Sequence, residues 1–302
     1  MCSTGLLPEK TRELHNHHFD STVWNDFRFR RDDIIMASYC KSGSTWMQQI
    51  VGQLIFDGDP DVSVADLSPW LDLRVPSADM KLAALEVQTY RRFIKTHLPV
   101  DALVFSDTAK YTFIARDGRD VVWSLWNHYV NANDMWYSTL NDAPGRVRPA
   151  LQRPTGDAVD FFRNWLARDG EPFWSIWDTL RSWWALRELP NVFFIHSADL
   201  KADREAAIRR LADFLEMDKS DAVISAAVAH SGFDWMKANA EKAAPLRGIF
   251  WEGGAQSFIY KGTNNRWQGI LPDEDSKAYE ARAEAELGPA CAHWLKTGEL
   301  PA

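Results

Sequence analysis

Little in this chain crosslinks it. The 302 residues include three cysteines, Cys2, Cys40 and Cys291. They are odd in number, widely spaced and without a CxxC pair, which excludes a disulfide framework and a cysteine-rich zinc site and fits a reducing cytoplasm. Long apolar runs are missing too. No stretch approaches the roughly 18 apolar residues of a membrane-spanning helix, and the N-terminal MCSTGLLPEKTRELHNHH lacks the apolar core of a secretory signal. An excess of positive charge is also absent: 34 Lys and Arg stand against 42 Asp and Glu, a net charge of -8. That sign disfavours a general nucleic-acid binder. Any anionic ligand must be held by a local cluster of Lys, Arg and backbone N–H groups. There is no internal repeat and no low-complexity tract.

What is present is ordinary globular material, 46% hydrophobic and 25% charged, with an unusual 15 Trp. A chain of this length buries about three quarters of its unfolded surface and needs no staple. Residues 1–31 read as a polar and aromatic lead-in segment. Residues 32–39 then read as a buried strand, 41–43 as a glycine-containing turn and 44–56 as a helix with apolar residues at helical spacing. Further strands are expected at 91–96, 110–116 and 191–196. Helices are expected near 120–131, 157–168, 173–188, 203–216 and 219–229. Strands alternating with helices predict a single α/β domain spanning 1–302, with a central, mainly parallel sheet flanked by helices. Ligands of such folds sit at the carboxyl ends of the strands. The Pro- and Gly-rich stretches 132–156 and 238–270 read as long loops of the kind that bind substrate or nucleotide.

Four segments carry chemistry. In Tyr39-Cys40-Lys41-Ser42-Gly43-Ser44-Thr45-Trp46 a strand ends, the chain turns and a helix begins. The unpaired first-turn N–H groups, the hydroxyls and Lys41 form an anion cradle like that of P-loop kinases, although the GxxxxGK[ST] pattern is absent. An ordinary strand–helix turn is the bland alternative. Lys95-Thr96-His97-Leu98-Pro99 follows a strand, so His97 faces the expected crevice with a pKa suited to taking a hydroxyl proton. Taken singly, such a histidine is more often a satisfied core residue. Arg116 ends the next strand, and Ser124 lies early in the following helix. A guanidinium fork beside a hydroxyl suits a phosphate monoester, while an Arg–Asp surface network explains it equally well. Finally, Tyr260-Lys261-Gly262-Thr263 places a glycine beside a lysine, where backbone N–H groups can approach an anion.

In their order these segments resemble the cytosolic sulfotransferase family. Its YPKSGTTW stands here as YCKSGSTW at 39–46, its KTHLP is intact at 95–99, its strand-end Arg and helical Ser match Arg116 and Ser124, and its RKGxxGxW loop stands as YKGTNNRW at 260–267. The resemblance runs from about residue 32 to 270. It implies a PAPS-dependent enzyme that transfers a sulfuryl group to a hydroxyl or amine of a small acceptor and releases the 3′,5′-bisphosphate, without a metal. By that resemblance Lys41, Ser42, Gly43, Ser44, Thr45 and Trp46 hold the 5′-phosphate, with Trp46 also against the adenine. Arg116, Ser124, Lys261 and Gly262 hold the 3′-phosphate, and Ser231 and Phe233 contact adenine. His97 is the base, Lys41 stabilises the leaving oxygen, Lys95 the sulfuryl oxygens, and Ser124 restrains Lys41. Three positions depart from the pattern. Tyr260 replaces an arginine, Ser197 replaces a tyrosine, and Cys40 replaces a proline.

The acceptor is expected to be a largely apolar phenol or alcohol, with Phe19, Trp24, Trp70, Trp126, Tyr129, Trp136 and Tyr137 as candidates for its pocket. Core packing is the expectation for Phe173, Trp177, Leu180 and Trp184, spaced as one helical face. His15, His17 and His18 cluster, with His15 and His18 on one expected helix face, but no adjacent carboxylate completes a metal site. The alternatives carried forward are a P-loop-like small-molecule kinase and a non-catalytic nucleotide-binding protein. The sequence leaves a homodimer open.

Overall fold

The computed structural model describes residues 7–147 and 149–300; Cys2 and the start of the lead-in segment lie outside them. Four strands form one parallel sheet in the order β2-β1-β3-β4, with β1 at Ile34–Ser38, β2 at Phe93–Thr96, β3 at Lys110–Ala115 and β4 at Val192–His196. Each is a short apolar run, as expected of strands covered on both faces. Alternation along β1 divides the core. Ile34 and Met36 face a layer containing Met47, Ile50, Val51 and Leu54, while Ile35 and Ala37 face the tryptophan-rich layer with Phe113, Trp177 and Trp183.

The register aligns the carboxyl ends. Ala37 pairs with Thr96, Ser38 with Ile114, and Ala115 with His196. The residues that follow, Tyr39–Gly43, His97, Arg116 and Ser197, therefore leave the sheet along one edge. The helix Ser44–Ile55 begins there directly after Gly43, and Gly118–Asn131 begins beyond Arg116, with the Asp117 carboxylate accepting from the Arg119 N–H.

Several boundaries differ from the sequence expectation. Residues 132–156 are not all loop. Asn133 accepts from the Trp136 N–H at 3.1 Å and caps a helix, Asp134–Asn141, that buries Trp136, Tyr137 and Leu140. Residues 238–270 contain two one-turn helices, Ala240–Ala243 and Ala255–Phe258. The helix expected at 173–188 is Ile176–Trp184, capped by Ser175. Helices Ala78–Glu86 and Asp273–Thr297 were not anticipated; the second is interrupted at Gly288, with φ 74°, before Pro289. The lead-in forms no helix around its histidines. His15 pairs across a bridge with Asp20, and its ring nitrogen lies 3.2 Å from that carboxylate. Among the described residues no helix is long and apolar enough to cross a membrane.

Candidate active site

The strand ends open into one cavity of about 750 Å³. Its wall brings together Lys41, Ser42, Gly43, Ser44, Thr45, Trp46, Lys95, His97, Arg116, Ser124, Ser231, Phe233, Lys261 and Gly262, drawn from positions more than 200 residues apart in sequence.

The cradle is built by backbone conformation. Lys41 has φ 59° and Gly43 φ 119°, so the chain reverses within three residues and points the first-turn N–H groups of Ser44–Ile55 into the cavity. The helix's first internal bond runs from Met47 N–H to the Gly43 carbonyl at 3.0 Å, so the amides of Ser44, Thr45 and Trp46 have no intrahelical acceptor. A side chain at Gly43 would meet Ile114 Cδ1 at 2.9 Å, so glycine is needed there for space as well as for φ. Trp46 is fixed by its Nε1–H donating to the Ser231 carbonyl at 2.9 Å.

At the other end of the cavity Arg116 donates to the Thr263 carbonyl at 2.9 Å, and its Nε is buried without a partner. Gly262 has φ 63°, and a Cβ there would lie 2.3 Å from the Phe233 ring. The backbone of the 260–267 loop is thereby pressed against that aromatic ring. The Arg266 guanidinium lies over the Tyr260 ring, 4.8 Å from its centroid, and also lines the cavity.

The central groups are His97, Lys41 and Lys95. His97 is 3% exposed, and its Nδ1 lies 2.7 Å from the Ser38 carbonyl. A carbonyl only accepts, so Nδ1 carries the proton and Nε2 is the basic nitrogen. Burial, reinforced by Lys95, holds the ring's pKa well below the ordinary histidine value, so it is neutral. Trp70 packs edge-on to His97 at 4.6 Å, and the Trp70 Nε1–H donates to Asp72 at 2.7 Å, which sets the ring's orientation. Lys95 Nζ lies 4.7 Å above the Trp70 ring. Burial brings Lys41 and Lys95 each down to about 8, and the charge of Lys41 lowers Lys95 further. No carboxylate forms an ion pair with either ammonium among the described residues. Two crowded, unneutralised cations beside free helix N–H groups make a site that an anion stabilises.

The aromatic candidates divide. Trp70 and Trp136 line the cavity; Phe19, Trp24, Trp126, Tyr129 and Tyr137 do not. Phe19 packs edge-on against Trp174, and Trp24 donates to Asp72 from within the core. The Tyr137 hydroxyl donates to the Tyr129 carbonyl at 2.7 Å, and Trp126 donates to the Gly156 carbonyl. Phe173 is buried in the core, as expected, and also lines the cavity, stacking on His18 at 4.3 Å. Sequence reasoning missed His128, which lies four residues after Ser124 and so on the same helix face; that spacing was the available signal. Lys201 and Arg204, also in the wall, gave no local signal.

The family model described as a sulfotransferase domain matches residues 31–289. A glycolipid sulfotransferase of Mycobacterium bovis (strain BCG / Pasteur 1173P2) is 30% identical, with 92% of each chain covered. Sulfotransferase 1B1 of Canis lupus familiaris is 27% identical, covering 93% of this chain and 94% of that one. A mouse sulfotransferase, SULT7A1, in a crystal structure complexed with PAP, superposes with a TM-score of 0.67 at 20% identity, covering 91% of each chain, and shows the shared fold. These matches span the cradle, His97, Arg116 and the 260–267 loop together, and they set aside the kinase alternative: the chain belongs to the sulfotransferase family.

Proposed function

We propose that the chain transfers the sulfuryl group of PAPS to a hydroxyl of a small, largely apolar acceptor, with His97 as general base. The observation that carries this reading is the bond from His97 Nδ1 to the Ser38 carbonyl at 2.7 Å. It leaves Nε2 unprotonated in the cavity that also holds Lys41 and Lys95. The residues fit a doubly phosphorylated nucleotide: unpaired helix amides and Lys41 at one end, and Arg116, Lys261 and the constrained Gly262 loop at the other. Bound PAPS supplies the sulfuryl group and a phosphate leaving group.

On this reading His97 Nε2 takes the acceptor's hydroxyl proton as the oxygen–sulfur bond forms. The bond from sulfur to the bridging phosphate oxygen breaks, and its electron pair stays on that oxygen, where Lys41 offsets the growing charge. Lys95 offsets charge on the sulfuryl oxygens. Ser124 contributes to the 3′-phosphate site. Trp46, Ser231 and Phe233 receive the adenine.

Trp70, Trp136 and Phe173 give the acceptor end an aromatic wall. A lipid or glycolipid alcohol is the acceptor class favoured by the named activity of the Mycobacterium bovis relative. The buried, unpaired Cys40 and Cys291 suit a reducing cytoplasm. The test is an acceptor screen with labelled PAPS in EDTA, beside ATP with Mg²⁺, with products identified by mass. Sulfated acceptor from PAPS alone supports the reading. Phosphorylated product, or tight bisphosphate binding with no turnover on phenols, sterols or glycolipids, contradicts it.

A further inference from the structure

In the cavity wall the Lys41 ammonium lies against a second histidine ring. Its Nζ lies 3.4 Å from Nδ1 of His128, and the Phe258 ring lies 5.0 Å away. His128 projects from Gly118–Asn131, one helical turn beyond Ser124, and both line the cavity. The Lys41 ammonium reaches His128, and among the described residues no hydrogen bond joins it to Ser124.

The tautomer follows from the partner. A charged ammonium only donates, so the Nδ1 that faces it must be the lone-pair nitrogen, and the proton of the neutral ring sits on Nε2. His97 has the opposite arrangement, because its Nδ1 faces a carbonyl. Of the imidazoles in the cavity wall, His97 and His128 thus have opposite polarity, one presenting a basic nitrogen and the other occupied in accepting from a lysine.

The His128 ring is also immobilised. It packs against Trp251 at 5.2 Å, against Trp136 at 5.4 Å and edge-on to Tyr129 at 6.0 Å. Trp251 is tied to the same region by a bridge to Ala132. An acceptor on a ring clamped from several sides fixes where a flexible four-carbon side chain puts its charge.

We propose that His128 is a positioning residue for Lys41: its Nδ1 holds the ammonium beside the Gly118–Asn131 helix, so that the charge is already placed when donor and acceptor molecules enter. The inference rests on the sulfuryl-transfer reading for the importance of Lys41, but its structural core does not require turnover. Misplacing a reacting group by an ångström costs up to about 100-fold, which sets the scale of the test.

Two measurements examine it. The first is ¹⁵N NMR of the unmodified, ligand-free protein, which reports the tautomer of each histidine. The proposal requires His128 as the Nε2–H tautomer and His97 as the Nδ1–H tautomer; an Nδ1–H form of His128 overturns it. The second compares three variants. The Asn side chain presents its amide near the Nδ1 position and Gln near the Nε2 position. His128→Asn is expected to keep kcat within about threefold, whereas His128→Gln and His128→Phe lose about 10- to 100-fold in kcat with little change in the KM for PAPS. Equal losses in the Asn and Gln variants, or full kcat in the Phe variant, overturn the proposal. If no sulfated product forms with the unmodified protein, the functional reading fails while the tautomer result still decides the contact.

Discussion

Replacing Lys41 by methionine should make the free protein more stable while destroying its function. In the folded chain burial holds the Lys41 ammonium at about 8, against an ordinary 10.5. A lysine whose folded pKa is depressed costs stability in full below that pKa, and the cost fades as pH rises from about 8 to 10.5, where the unfolded chain also loses its proton. At 1.36 kcal/mol per pKa unit the cost at pH 7 is about 3 kcal/mol. Methionine has similar length and no charge. It forfeits the long hydrogen bond to His128, worth about 1 kcal/mol, which leaves a net gain of about 2 kcal/mol. Urea denaturation of both proteins at pH 7 and pH 10.5, without ligand, measures it. The gain should be present at pH 7 and nearly gone at pH 10.5. Adenosine 3′,5′-bisphosphate should then reverse the order, because ligand binding stabilises only the protein that binds it. A variant less stable than the parent at pH 7, or a gain equal at both pH values, refutes the argument that Lys41 is a buried, unneutralised charge.

Other consequences follow from the same geometry. Tyr260→Arg places a guanidinium in the loop that carries Lys261 and should tighten bisphosphate binding about tenfold, read by calorimetry against adenosine 5′-monophosphate as the control lacking a 3′-phosphate. Gly262→Ala demands φ 63° of a residue whose Cβ would lie 2.3 Å from the Phe233 ring; it should weaken that binding at least about tenfold while the fold survives, by far-ultraviolet circular dichroism. The pH profile of kcat/KM should hold level between its limbs: on the proposed reading His97 must be unprotonated and burial depresses its pKa, so the acid limb lies well below the ordinary histidine value, while loss of charge on Lys41 and Lys95 lowers activity as pH rises past about 8. An acid limb at or above 6.5 would contradict the buried environment of His97.

The proposed nucleotide end of the site was legible because its signals are local. A strand, a turn and a helix are adjacent in sequence, so YCKSGSTW could be read as a cradle from eight consecutive residues, and KTHLP places His97 one residue past a strand. The acceptor end was not legible in the same way. Trp24 and Trp70 are equally aromatic, and both donate to Asp72, yet only the second faces the cavity, a difference decided by chain packing far from either residue. Phe173 is in the core, as its spacing suggested, but it lies outside Ile176–Trp184, and its place in the cavity wall beside His18 had no local signal. The helix Asp134–Asn141 was masked by the prolines and glycines just after it. His128 stood on the same helix face as Ser124 and was open to discovery from spacing alone.

The central claim is that the imidazole of His97 and the ammonium of Lys41 act on one reaction in one cavity. The most direct measurement is the single-turnover rate of sulfuryl transfer from labelled PAPS in the parent chain and in His97→Ala, with bisphosphate affinity determined on the same samples. The rate should be at least about 100-fold lower in the variant, with affinity changed by less than about threefold. Transfer at the parent rate by a folded, bisphosphate-binding His97→Ala protein would contradict it.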